Sequence, residues 1–290
     1  MPNAVEPPSE SPVNLEAAYA LLAENSGAAW RPLAGGTDLM VQMTGEIGEA
    51  PGRVLDIWAL SELRGISVEA DALVIGALTT YTEIRRSPVV AEFVPSLVEA
   101  AATIGAAQIQ NRGTIGGNVM NASPAGDTLP VLLALGAEMV LGSAAGERTV
   151  AADDFWPSYR TTPRRDDELL LRVRVPLEPD RQVRFRKIGT RRAQAISKVV
   201  MALAWRSPAV DAPWTDVRLA LGSVAATTMR TPETEAILEG SRPTREAADA
   251  AAAVLNDELQ PIDDVRSTAD YRRAVAGRVL HRLLRDAGGW

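Results

Sequence analysis

Three segments of this sequence concentrate residue types able to hold a polar or anionic ligand. The first is Leu33-Ala34-Gly35-Gly36-Thr37-Asp38-Leu39, in which two glycines follow a short apolar run and precede a helical pattern. Glycine removes the Cβ that would keep a ligand off the backbone, and the start of a helix presents oriented N–H groups, so the element suits a phosphate or pyrophosphate. A tight strand-to-helix turn accounts for the same residues without any ligand. The second segment runs from Thr114-Ile115-Gly116-Gly117-Asn118 through Met120 and Asn121 to Gly126-Asp127. Its hydroxyl, amide and carboxylate groups alternate with glycines, as a polar-ligand site or a hydrogen-bonded structural loop requires. Neither segment is GxGxxG, and no lysine stands where a GxxxxGK[ST] loop needs one, which excludes Rossmann and P-loop assignments. The third is Phe185-Arg186-Lys187-Ile188-Gly189-Thr190-Arg191-Arg192, followed by Ala195-Ile196-Ser197-Lys198. Its four cations suit an anionic ligand, a partner surface or plain solvent. Lys187 stands out because only it and Lys198 are lysines among 30 basic residues.

The elements that must position these segments follow from pattern. Asn14 caps a helix running to about Glu24, and Trp30 to Ala34 reads as a strand that ends at the glycine pair, with a helix from Thr37 to Met43. Arg53 to Ile57 and Leu73 to Ile75 read as strands, and Thr80 caps a helix through Arg85. Pro88 and Pro95 open further helical pieces, the second extending to Ala106. From Gln108 to Asp127 the pattern reads as one long polar loop, and a loop of that length inside a folded domain is usually functional. A helix from Thr128 to Leu135, a hairpin of Glu138 to Leu141 with Glu147 to Val150, a charged loop to Asp167 and a strand from Glu168 to Val175 follow. Beyond Pro176 come three antiparallel strands, Gln182 to Ile188, Lys198 to Trp205 and Asp216 to Val224, and then helices Pro232 to Leu238, Thr244 to Leu255 and Asp270 to Asp286. A domain boundary is expected at 177–180.

Composition narrows the chemistry. At roughly 150 residues per domain, 290 residues make about two domains. There is no cysteine, so this chain holds no disulfide, no thiolate-bound zinc and no thiolate-held iron–sulfur cluster. One histidine, His281, lies in an amphipathic terminal pattern with no GxSxG elbow to serve, so a triad is not indicated. The formal charge of −7 argues against a nucleic-acid surface. No stretch approaches the roughly 18 apolar residues of a membrane helix. The proline-rich residues 1–13 carry no secretory pattern and read as a flexible or strapped tail, and a cytoplasmic location is expected. Asn121-Ala122-Ser123 matches a glycosylation sequon by chance in that setting.

Taken in order, RPLAGGTDL, NRGTIGGNVMNASPAGD and FRKIGTRRAQAISKV resemble the FAD-binding medium subunits of the molybdenum hydroxylases, the family of the xanthine and carbon monoxide dehydrogenases. The resemblance runs from about Asn14 to the C-terminus. The second motif is nearer the xanthine dehydrogenase pattern, and carbon monoxide dehydrogenases typically carry histidine and serine in the first loop, where Thr37 and Asp38 stand. The resemblance implies an α+β fold: a two-lobed FAD-binding domain of the vanillyl-alcohol oxidase (PCMH) type over 14–177, with lobes of about 14–58 and 59–177. A C-terminal domain of three antiparallel strands and a helix bundle follows over 178–290. It also implies that Leu33, Ala34, Gly35, Gly36, Thr37, Asp38 and Leu39 wrap the FAD pyrophosphate. Thr114, Gly117, Asn118, Met120, Gly126 and Asp127 would line the dinucleotide and ribityl chain. Ile104 stands where some relatives place an aromatic near the adenine, and Leu171 and Lys187 match positions that reach the isoalloxazine edge. A cation such as Lys187 would stabilise negative charge on reduced flavin.

The function implied is an electron-transfer subunit with noncovalent FAD and no catalytic acid, base or metal of its own. Its partners would be a small subunit with [2Fe-2S] clusters and a large subunit with the molybdenum cofactor, assembled as a dimer of heterotrimers. The absence of cysteine then means that every cluster thiolate belongs to a partner. Relatives that reduce NAD can carry acidic residues just after the paired arginines; Ala193, Gln194 and Ala195 stand here, which counts against NAD as acceptor. The alternative reading is a stand-alone FAD-dependent oxidase of the same fold. Against it stand the lack of residual length for a substrate-capping domain and the lack of a histidine in the FAD lobes for a covalent flavin link.

Overall fold

The computed structural model describes residues 7–24, 29–44, 50–178, 180–191, 194–209 and 212–290. Three sheets organise them. The first is β1 (Ser9–Glu10), β2 (Trp30–Leu33) and β3 (Arg53–Asp56), all parallel in the order β1-β3-β2. The tail is therefore strapped at this point: Ser9 and Glu10 pair with Val54 and Leu55. The second sheet is antiparallel in the order β4-β5-β8-β6-β7, built from β4 (Ile66–Glu69), β5 (Ala72–Gly76), β6 (Glu138–Ser143), β7 (Gly146–Ala151) and β8 (Leu169–Pro176). The third is also antiparallel, β12-β11-β10-β9, from β9 (Arg181–Ile188), β10 (Val199–Arg206), β11 (Thr215–Gly222) and β12 (Met229–Arg230), one short strand more than the expected three.

The apolar pattern explains how the sheets pack. Successive side chains of a strand point to opposite faces, and β10 is apolar at nearly every position. Val200, Ala202 and Ala204 enter the core around β5, β6, β8 and helix Leu129–Ala134. Val199, Met201, Leu203 and Trp205 instead join Leu255, Leu280 and Leu284 of the C-terminal helices Arg245–Glu258 and Ala269–Gly288. The third sheet is thus buried on both faces and locks the two parts of the chain together. Small residues make the approach close: a Cβ at Gly222 would lie 2.8 Å from Pro124 O.

The segment expected as one long loop contains two short helices, Ala107–Arg112 and Ile115–Asn121. Two adjacent glycines disfavour a helix by propensity, but here packing overrides it. Thr114 caps the second helix, and Gly116 lies against Ala77, where a Cβ would come within 2.6 Å of the carbonyl oxygen. The helix expected from Thr37 begins at Leu39, and the one expected to reach Ala106 ends at Thr103. Thr80 forms a full capping box with Glu83 at the head of helix Tyr81–Arg86. The boundary expected at 177–180 follows β8, with residue 179 outside the described residues.

Candidate functional site

The three sheets converge on a cleft of about 1030 Å³, to which all three signalled segments contribute. Leaving β2, the chain passes so close to Arg112 that a Cβ at Gly35 would sit 1.7 Å from its carbonyl oxygen, and Gly36 takes the left-handed region at φ 77°. Only glycine meets both demands without strain. Among the described residues, the N–H groups of Gly35, Gly36, Thr37, Asp38 and Leu39 have no protein acceptor. The carbonyls of Gly36 and Asp38 already start the next helix, accepting from Met40 (3.0 Å) and Val41 (3.1 Å). A run of unpaired amides lining a cleft is an anion-binding nest.

The second segment behaves differently. Ile115 N donates to Thr79 O (3.0 Å), Gly116 N to Ala77 O (2.9 Å), Gly117 N to Thr114 Oγ1 (3.0 Å) and Asn118 N to Thr114 O (3.1 Å). Its first-turn amides are committed internally, so Thr114, Gly117, Asn118 and Met120 shape the wall rather than offer amides to it. Asn118 Oδ1 accepts from the Thr128 hydroxyl (2.6 Å). Gly117 presents its bare Cα: a Cβ there would meet only Thr114 Oγ1, at 3.0 Å. Gly126 lines the cleft but is needed first for packing, since a Cβ would press to 2.9 Å from Leu129 Cγ.

The third segment closes one wall. Lys187 Nζ donates to Asp127 Oδ2 (2.5 Å) and Thr103 O (3.1 Å), and Asp127 Oδ1 accepts from Ser197 Oγ (2.6 Å). Burial pushes the Asp127 carboxyl up, while Lys187, Ser197 and Thr103 pull it back. Sequence reasoning placed Ser197 beside the basic cluster without a role; tertiary contact makes it the third partner of this carboxylate. Ile104 stands next to Thr103 and lines the same wall.

One expected residue is misplaced. Leu171 does not line the cleft; Leu169 and Leu170 do. On β6, Val140 pairs with Arg172 while Leu141 pairs with Leu170, so Leu171 is the extra residue of a bulge. Its carbonyl accepts from Ala77 N (2.9 Å), and its side chain joins Leu55, Leu60 and Leu78 in the core beneath the first sheet. Arg31 and Arg164, which sequence reasoning passed over, also line the cleft, and nothing in their local pattern announces it.

The buried Tyr81 lines the cleft, and burial pushes its hydroxyl pKa up so that it stays a neutral donor. Arg191, Gln194 and Ala195 line the rim, whereas Arg192 and Ala193 lie outside the described residues. At another part of the lining, burial raises the Asp264 carboxyl, but N–H groups of Arg266 and Ser267 and the Arg272 guanidinium hold it down to about 2. His281 is remote, paired with Asp249 (3.2 Å) and edge-on to Trp290. No group of three or more metal-ligating side chains occurs among the described residues. None of their helices is long and apolar enough to cross a membrane.

Comparison with known proteins agrees with this architecture. Residues 6–178 match the FAD binding domain in molybdopterin dehydrogenase, and residues 184–287 match the CO dehydrogenase flavoprotein C-terminal domain. The chain is 34% identical to the carbon monoxide dehydrogenase medium chain of Hydrogenophaga pseudoflava, covering 96% of this chain and 95% of that one. It is 28% identical to the xanthine dehydrogenase FAD-binding subunit of Escherichia coli O157:H7, over 93% of each. Over the whole chain, then, the carbon monoxide dehydrogenase subunit is the nearer of these two, although the glycine motif leans the other way. The solved carbon monoxide dehydrogenase of Hydrogenophaga pseudoflava superimposes with a TM-score of 0.90 at 33% identity, covering 96% of both chains. The donor set fits a dinucleotide: a free amide run for a pyrophosphate, in a cleft that Lys187 and Leu170 also line.

Proposed function

Because this chain belongs to the FAD-binding subunits of the molybdopterin dehydrogenases, we propose that it is the electron-transfer subunit of a molybdenum hydroxylase complex. Bound noncovalently, FAD would supply the redox chemistry between iron–sulfur clusters of a small partner and an external acceptor. A large subunit would hold the molybdenum cofactor, in a cytoplasmic dimer of heterotrimers. The observation that carries this reading is the set of five unpaired amides from Gly35 to Leu39, the feature a pyrophosphate needs and a merely structural turn does not.

Each residue then has a defined task. Gly35 to Leu39 hold the pyrophosphate, with Leu33 and Ala34 shaping the approach. Thr114, Gly117, Asn118 and Met120 give the close wall along the linker. Lys187, oriented by Asp127, faces the flavin edge, where a cation favours the negative charge of the reduced ring, and Ile104 stands on the adenine side. Leu169 and Leu170, which line the cleft where Leu171 does not, take the place expected of Leu171 at the isoalloxazine edge.

The test is purification with the neighbouring gene products followed by acid precipitation. The expected result is released FAD, together with a cysteine-rich small subunit and a molybdenum-containing large one. A colourless chain that binds no added FAD would refute the reading, and an isolated chain that oxidises a substrate with oxygen would favour the oxidase alternative.

A further inference from the structure

Three side chains from separate segments meet across the cleft. Asp38 belongs to the first glycine loop, Asn121 ends helix Ile115–Asn121, and Arg160 lies in the connection between β7 and β8; all three line the cleft. Asn121 Nδ2 donates to Asp38 Oδ1 (3.1 Å), and Arg160 Nη1 donates to Asn121 Oδ1 (2.8 Å). A carboxylate only accepts and a guanidinium only donates, so one amide in one orientation joins them, and a flipped amide would satisfy neither. Arg160 reaches this position from left-handed backbone at φ 52°, a conformation that costs a non-glycine residue and persists where the surroundings enforce it.

The position of Asp38 makes the relay consequential. Asp38 contributes one of the five unpaired amides, so its own carboxylate, if turned toward them, would repel the phosphate that the amides attract. Tied to Asn121, and through it to a cation, the carboxylate is held at the cleft edge. Both hydrogen bonds lie at the solvent-exposed edge of the cleft, so they can open for loading without leaving a buried polar group unpaired.

We propose that Asp38, Asn121 and Arg160 form a clasp across the cofactor cleft that holds the Asp38 carboxylate off the amide run and slows release of the bound dinucleotide. Asn121 is the positioning residue. The inference rests on the FAD reading above.

The experiment follows FAD release from the full chain by the rise in flavin fluorescence on dilution. Asn121→Ala and Arg160→Gly should each speed release by roughly tenfold, the scale of one or two hydrogen bonds. The double variant should release no faster than Asn121→Ala alone, because that change already disconnects the arginine. Arg160→Gly also relieves the left-handed backbone, so the apo protein should melt no lower while releasing FAD faster, a split that a structural role would not produce. Wild-type release rates in both single variants, or strictly additive effects in the double variant, would overturn the clasp alone. If the wild-type chain retains no FAD, the cofactor reading falls with it.

Discussion

Lys187 and Asp127 form an ion pair with side chains only 5% and 6% exposed, joining β9 to the end of the second glycine segment. Removing one charge leaves the other buried without its partner, which costs more than the pair contributes. Lys187→Met should destabilise the chain by about 3 kcal/mol at neutral pH. The Asp127 carboxyl is already raised by burial, and a group raised above its unfolded value loses stability as pH climbs above that value, 3.8. Without Lys187 the rise is larger, so the variant should recover stability on acidification from pH 8 to pH 5 while the parent changes little. Thermal melting at several pH values measures this.

The glycines divide into two kinds. Gly35→Ala should destabilise the apo chain by about 3 kcal/mol, because its Cβ would strike the Arg112 carbonyl at 1.7 Å. Gly117→Val should leave the apo melting temperature within a few degrees yet abolish flavin retention, because its side chain enters the cleft. Flavin absorbance of the purified variants, set beside their melting curves, separates the two.

Leu171→Ala should lower stability by about 2–5 kcal/mol by opening a cavity in the core beneath the first sheet, with FAD affinity unchanged. Leu170→Ala should weaken FAD binding. Titration of apo protein with FAD, alongside denaturant unfolding, checks both.

Asp264 contributes stability that is complete above its unfolded value of 3.8 and is lost as pH falls toward about 2. Asp264→Asn should therefore flatten the acid limb of the stability profile between pH 4 and pH 2 and leave its slope above pH 5 as in the parent. Acid unfolding followed by circular dichroism tests this.

Much of the fold is legible in local pattern because local rules decide it. Asn14, Thr80, Thr244 and Thr268 are side-chain N-caps by residue type and position, and the two-face apolar run of β10 announces a strand buried on both sides. The helices Ala107–Arg112 and Ile115–Asn121 were not legible, because the glycine pair that argues against a helix answers a distant demand. Gly116 must pack against the backbone of Ala77, on another element, and the fully buried Ile115 anchors the same turn in the core. Motif resemblance assigns Leu171 to the flavin edge; in the fold a one-residue bulge opposite β6 leaves it unpaired and its side chain joins the core, and no local pattern encodes that bulge.

By itself the sequence determined the residue types available for chemistry. It contains two glycine segments able to approach a ligand, a separate basic segment carrying its two lysines and no thiolate, which limits this chain to holding a cofactor through amides, hydroxyls and a cation. Those properties belong to side chains and local backbone, and no fold changes them. Only the tertiary structure decided how the groups are used: the Gly35–Leu39 amides are left free while those from Ile115 to Asn118 are committed, Lys187 meets Asp127, and Asn121 joins Asp38 to Arg160. Each of these depends on which distant partner reaches a donor or acceptor first, and hydrogen bonds act only over about 3 Å.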